Sequence, residues 1–161
     1  MAERRPYDPM TANPPGPSGP PDGPPDGNAR KGRIVARSRA DVDRAEREIL
    51  DAVEAFGFER SATFAVRTAV EEAIVNAQTH GNLGDHSKSV TIEYEVDAES
   101  LVVVITDEGR GFDPAAVPDP TRPENVDLPS GRGIMLMRVY MSEVEFLGVG
   151  NRVRMVKRRE G

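Results

Sequence analysis

The chain has no cysteine, no tryptophan and only two histidines, and each shortage removes a class of chemistry. Without Cys there are no disulfides or thiolate metal sites, and two His cannot build an all-protein zinc centre. With three Tyr and five Phe, the core must be filled by aliphatic side chains. No apolar run approaches the roughly 20 residues of a spanning helix. The charged N-terminus also lacks the apolar segment of a secretory signal. A basic excess is missing as well: the formal net charge is −6, whereas nucleic-acid-binding domains usually carry surplus Lys and Arg. The terminal Lys157-Arg158-Arg159 reads as a solvated chain end. These absences point to a soluble, cytoplasmic protein that binds neither membrane nor nucleic acid.

Pro and Gly, by contrast, are plentiful and crowd the N-terminus, with Pro14-Pro-Gly-Pro-Ser-Gly-Pro-Pro21 as the extreme. Pro removes backbone donors and Gly raises the entropy cost of ordering, so residues 1–32 read as a disordered tail. The glycines keep no strict three-residue period, which excludes collagen. Residues 33–161 then form a single domain.

Within that domain, Ile34–Arg37 reads as a short strand. Ser38 with Asp41 three residues on is a capping signature. Behind it Val42, Ala45, Ile49, Ala52, Val53 and Phe56 recur at helical spacing up to a Gly57 stop. A second helix is expected from about Ser61 to His80. Val90, Ile92, Tyr94 and Val96 alternate as a strand, and the apolar run Leu101–Thr106 reads as a strand buried on both faces. Five prolines between Pro114 and Pro129 forbid regular structure, leaving a loop of about 114–130 of the length that is usually functional. Helical spacing returns from Gly133 to about Met141, through Ile134, Met137 and Val139 or Tyr140. Strands near Glu143–Leu147 and Arg152–Val156 close the chain around Gly148–Asn151. This order implies an α+β fold, a two-layer sandwich with helices on one face of a mainly antiparallel or mixed sheet.

Three segments carry chemistry. At 100° per residue, Glu72, Asn76 and His80 share a row along the border of the second helix's apolar stripe. Glu71 points about 140° away from Asn76, toward the outer face. Spacing alone also permits simple rim polarity for this row. Asp107-Glu-Gly-Arg-Gly111 follows a strand, where an Asp can aim a carboxylate into a cleft while glycines let backbone approach a ligand; a tight turn explains those glycines equally. Ser130-Gly-Arg-Gly133 opens a helix, where free N–H groups and the helix dipole favour a phosphate, or where a hinge needs freedom. No P-loop and no G-x-G-x-x-G fingerprint occurs.

In this order the three segments resemble the Bergerat-type ATPases, the superfamily of DNA gyrase, heat-shock chaperones, MutL and sensor histidine kinases. Glu72–Asn76, Asp107–Gly111 and Ser130–Gly133 match its three boxes. Glu71-Glu-Ala-Ile-Val-Asn-Ala-Gln-Thr-His-Gly-Asn82 is most similar to the stand-alone bacterial anti-sigma factor/serine-protein kinase group. The resemblance covers about residues 34–157. It implies ATP and Mg²⁺ as cofactors, with Asp107 accepting the adenine amino group and Asn76 coordinating Mg²⁺. Glu72 would be the catalytic residue that orients or deprotonates the attacking hydroxyl. His80, Gly109, Gly111, Ser130, Gly131, Arg132, Gly133 and Asn151 would complete the nucleotide site, and the 114–130 loop would close over the phosphates as a lid.

The implied function is an ATP-dependent protein serine/threonine kinase that acts on an anti-anti-sigma partner and also binds a sigma factor. A homodimer is implied as well. Two departures from the family pattern stand out. Leu128-Pro129 occupies the place where relatives often carry a basic residue, leaving Arg132, Arg110 or Arg122 to meet the γ-phosphate. Asn151 stands in for a Thr. The first departure keeps open an alternative, an ATP-binding module that regulates by sequestering its partner with little or no phosphoryl transfer.

Overall fold

The computed structural model describes residues 29–127 and 131–161. Most of the proline-rich tail, and Ser130 with the two residues before it, lie outside the described residues.

Five strands form one fully antiparallel sheet: β1 (Arg30–Ala36), β2 (Val90–Val96), β3 (Ser100–Thr106), β4 (Glu143–Leu147) and β5 (Arg152–Arg158), in the order β1-β2-β3-β5-β4. The first strand begins at Arg30 rather than Ile34, so Arg30, Lys31 and Gly32 pair with Val96, Glu95 and Tyr94 although composition assigned them to the tail. Packing explains the difference. A Cβ at Gly32 would collide with the Tyr94 ring, so this glycine seats an aromatic side chain.

Helix α1 (Arg39–Ala55) begins with the expected capping box, Ser38 and Asp41 each accepting the other's backbone N–H. It ends before Gly57, whose φ of +75° suits a residue without Cβ. Helix α2 (Arg60–Asn76) is shorter than its periodicity predicts, because Ala77–Gly81 continues it as a π-helical turn. Helix α3 (Arg132–Tyr140) starts after Gly131 and buries Ile134 and Met137, while Val139 points outward at 69 % exposure and Tyr140 packs partly on the core.

The helices cover one sheet face. Tyr94, Val103 and Met155, paired neighbours across three strands, are buried there with Ile49, Val53, Val70 and Ile74 of α1 and α2. The expectation that β3 is buried on both faces is corrected: its pattern alternates, with Leu101, Val103 and Ile105 inside and Val102 and Val104 half-exposed. The outer face is covered by long charged side chains, Lys31–Glu95, Arg33–Glu93 and Arg154–Glu143 among them, whose methylene stems shield the valines. A continuous apolar run therefore signalled burial that salt-bridged neighbours supply only in part.

The 114–127 segment is irregular but not featureless. It holds two 3₁₀ turns: Asp113 caps Pro114–Ala116 by accepting the Ala115 N–H, and the Asn125 side-chain amide of Pro123–Asn125 donates to the Asp119 carbonyl. Among the described residues no helix is long and apolar enough to cross a membrane.

Candidate nucleotide site

A cavity of about 390 Å³ opens between the C-terminal half of α2, the end of β3, the start of α3 and the β4–β5 turn. Glu72, Asn76, His80, Asp107, Gly111, Gly131, Arg132, Gly133 and Asn151 all line it, so residues from four distant segments meet around one space. Gly109 stands behind Asp107 instead of in the wall, and Ser130 falls outside the described residues. Glu71 is exposed and outside the lining.

Glycines set the spacing at the end bordered by α3. A Cβ on Gly133 would lie 2.8 Å from Glu72 Oε2 and 3.4 Å from Asn76 Oδ1, so α3 begins directly against that carboxylate and amide. Gly131 takes φ +90°, and a Cβ there would come within 2.5 Å of the Pro118 carbonyl oxygen, so the loop folds back on the helix start. The first N–H groups of α3 therefore face the same space as Glu72 and Asn76, where the dipole favours an anion.

The opposite end is built around Asp107. Its backbone N–H donates to the Asn151 carbonyl at 2.9 Å and its carbonyl accepts from Asn151 Nδ2 at 3.2 Å. Asn151 thus holds the aspartate through the main chain. The Gly109 N–H donates to Asp107 Oδ1 at 2.7 Å. Cβ atoms on Gly81 and Gly109 would collide with the Asp107 carboxyl and with the Gly81 carbonyl respectively, so the carboxylate is wedged between two bare backbones. Burial pushes the Asp107 carboxyl above the ordinary aspartate range, opposed by the Gly109 N–H and the Lys88 charge. Farther along, Gly111 (φ +79°) and Gly150 (φ +94°) interlock, each admitting a carbonyl, of Val149 and Phe112, where a Cβ would stand.

Of the three arginines considered for the far phosphate, only Arg132 lines the cavity; its guanidinium donates to the Val126 carbonyl at 2.6 Å. Arg122 pairs with Asp119 within the loop, and Arg110 is exposed outside the lining. Sequence reasoning did not single out Gly81, Phe112, Val117, Phe146 or Gly150, which also line the space. Gly81 and Gly150 had a legible signal, lying in the His80-Gly81 stretch and the Gly148–Asn151 turn. The apolar wall had none, because Phe112 and Phe146 meet edge to face across the cavity wall only after folding, with centroids 5.1 Å apart. No group of three acidic or His side chains suited to a cation occurs among the described residues. The Asn76 side-chain oxygen, half-buried against Gly133 beside Glu72, suits a hard divalent ion whose coordination is completed by ligand oxygens and water.

A half-buried carboxylate and amide facing a glycine-opened helix start, with an acceptor-only group at the far end, define a nucleotide-type cavity. The family pattern of the histidine kinase-like ATPase domain matches residues 35–157, and the chain belongs to this family. Among curated relatives, the anti-sigma F factor of Clostridium botulinum (strain Eklund 17B / Type B) is 36 % identical over 101 residues, covering 58 % of this chain and 68 % of that protein. The anti-sigma F factor of Clostridium perfringens (strain SM101 / Type A) is 31 % identical over 90 residues, or 54 % of this chain and 64 % of that one. The serine-protein kinase RsbW of Listeria innocua is 35 % identical over 57 residues, covering 35 % of this chain and 36 % of its own length.

Proposed function

We infer that this protein is an ATP-binding anti-sigma regulatory factor with serine/threonine kinase activity toward an anti-anti-sigma partner. The observation that carries the reading is the facing of Glu72 and Asn76 on α2 against the Gly131–Gly133 start of α3, across a cavity that ends at Asp107. Family membership and relatives named anti-sigma F factor and serine-protein kinase support it.

In this reading Asp107 accepts the adenine amino group, and the α3 N–H groups with Arg132 meet the phosphates. Asn76 would hold Mg²⁺, which when bound neutralises phosphate charge. Glu72 receives the proton of the attacking hydroxyl, so the γ-phosphoryl bonds to an alkoxide-like oxygen held in line as its bond to the β-phosphate oxygen breaks and ADP leaves. His80 and Asn151 border the base end, and Gly109 and Gly111 keep backbone close to it. Ser130 belongs to the phosphate loop by its place before Gly131, and the 114–130 segment acts as lid. The added phosphate, about −1.5 to −2 charges, disrupts the partner's packed interface and frees the factor to hold sigma. A cytoplasmic location and a homodimer complete the reading, with the domain beginning at Arg30, where β1 starts.

A second reading, sequestration without transfer, draws support from Arg132, whose guanidinium is engaged by Val126, and from Leu128-Pro129 in place of a basic residue. Incubation with γ-labelled ATP and the antagonist separates the two. Label appears on the antagonist with wild type and disappears with Glu72→Ala, while ATP binding is kept. Undiminished transfer by pure Glu72→Ala protein contradicts the assigned role, and absence of transfer by wild type favours sequestration.

A further inference from the structure

Asn82 is 3 % exposed, the one buried polar side chain among the described residues, and it lies outside the cavity lining. Its Oδ1 accepts the Glu108 backbone N–H at 2.8 Å, and its Nδ2 donates to the Ser89 carbonyl at 3.0 Å. The Glu108 side chain returns to the same Ser89: Oε2 accepts from the Ser89 N–H and, at 3.1 Å, from its Oγ. The three residues close a ring that joins the end of the π turn, the approach to β2 and the end of β3. We propose that this Asn82–Ser89–Glu108 ring positions the Asp107 carboxylate and thereby sets selectivity for an adenine over a guanine ring.

The proposal rests on the nucleotide reading above and extends it to residues that would not touch the ligand. Asn82 follows Gly81 and Glu108 follows Asp107, so the bond between Asn82 and Glu108 fixes the separation of their chain neighbours. That separation is tight, since Asp107 leaves no room for a Cβ on Gly81. A carboxylate only accepts hydrogen bonds. Adenine offers an amino donor at the position where guanine offers a carbonyl, so discrimination depends on where the carboxylate is held. The Ser89 donors keep Glu108 ionised below the usual glutamate range, so the ring is intact at neutral pH.

Four full-length proteins test this: wild type, Asn82→Leu, Glu108→Ala and Glu108→Gln. Affinities for Mg-ATP and Mg-GTP are measured by calorimetry, and the Asp107 carboxyl is titrated by carbon NMR without nucleotide. Leu is nearly isosteric with Asn but leaves the Glu108 N–H and Ser89 carbonyl without their partner. The expected result is about a tenfold loss of ATP affinity with GTP binding unchanged. Glu108→Ala is a surface change that opens one edge and lowers the ATP preference about two- to fivefold, and Glu108→Gln keeps an acceptor oxygen and restores it. In both ring-opening variants the Asp107 titration moves back toward that of an ordinary aspartate. Lower thermal stability with an unchanged ATP to GTP ratio and an unchanged Asp107 titration would overturn the proposal. A wild type without adenine preference, whose Asp107 titration still responds to Glu108→Ala, overturns both the selectivity and the nucleotide reading while leaving the ring's hold on Asp107. Should Asn82→Leu fail to fold, Glu108→Ala decides.

Discussion

Asp107 sits where stability and function pull in opposite directions. Burial raises its carboxyl in the folded protein above the unfolded value, so the native state holds this proton more firmly. Ionised Asp107 therefore costs stability at neutral pH, and that cost disappears as pH falls through the raised value. Asp107→Asn keeps an acceptor for the Gly109 N–H but removes the charge. The variant should match or exceed wild type in melting temperature at pH 7, and the difference should shrink toward pH 4. Its ATP affinity should fall at least about tenfold, as expected for losing a charge-assisted bond. Melting scans across pH and a nucleotide titration check both halves; a variant less stable than wild type at pH 7 contradicts the electrostatic argument. Gly133 makes a complementary case. Ala suits a helix better than Gly by up to about 1 kcal/mol, yet its Cβ would press on the mobile end of Glu72. Gly133→Ala should keep or raise the melting temperature while transfer of label drops at least about tenfold.

Elements divide into those that hold the fold and those that present the site. The α1 capping box belongs to the first kind: Ser38→Ala should cost about 1 kcal/mol in a denaturant titration and leave ATP affinity unchanged. The outer-face ion pairs are half-exposed, so Glu93→Gln should cost less than about 1 kcal/mol although Arg33 and Arg152 both approach it. The element that presents the site is the π turn after α2. Helical periodicity predicted an uninterrupted helix to His80, and the row of Glu72, Asn76 and His80 does border the cavity. The widened turn is not legible in sequence, because Ala77–Gly81 has no residue that distinguishes π from α winding. Its consequence is spatial, since it brings Gly81 against Asp107 and delivers Asn82 to the ring with Ser89 and Glu108.

At the scale of the whole molecule, the sheet-and-helix layering was legible from alternation and periodicity, as were the three segments that meet at the cavity. Two kinds of feature were not. Gly32 reads as tail by composition although it lies in β1 beneath Tyr94, because close packing of a ring on a bare backbone leaves no local signature. Long-range polar contacts such as Asn82 to Glu108 were hidden for the same reason: a single Asn is silent about its partner 26 residues away. The central claim is that folding assembles an adenine-nucleotide site between α2, β3 and α3. Calorimetric titration of the full chain with Mg-ATP and, separately, Mg-GTP tests it most directly. The account predicts saturable one-site ATP binding, at least about tenfold weaker GTP binding, and loss of the ATP signal in Asp107→Asn. No heat of ATP binding, or equal affinities for the two nucleotides, would contradict it.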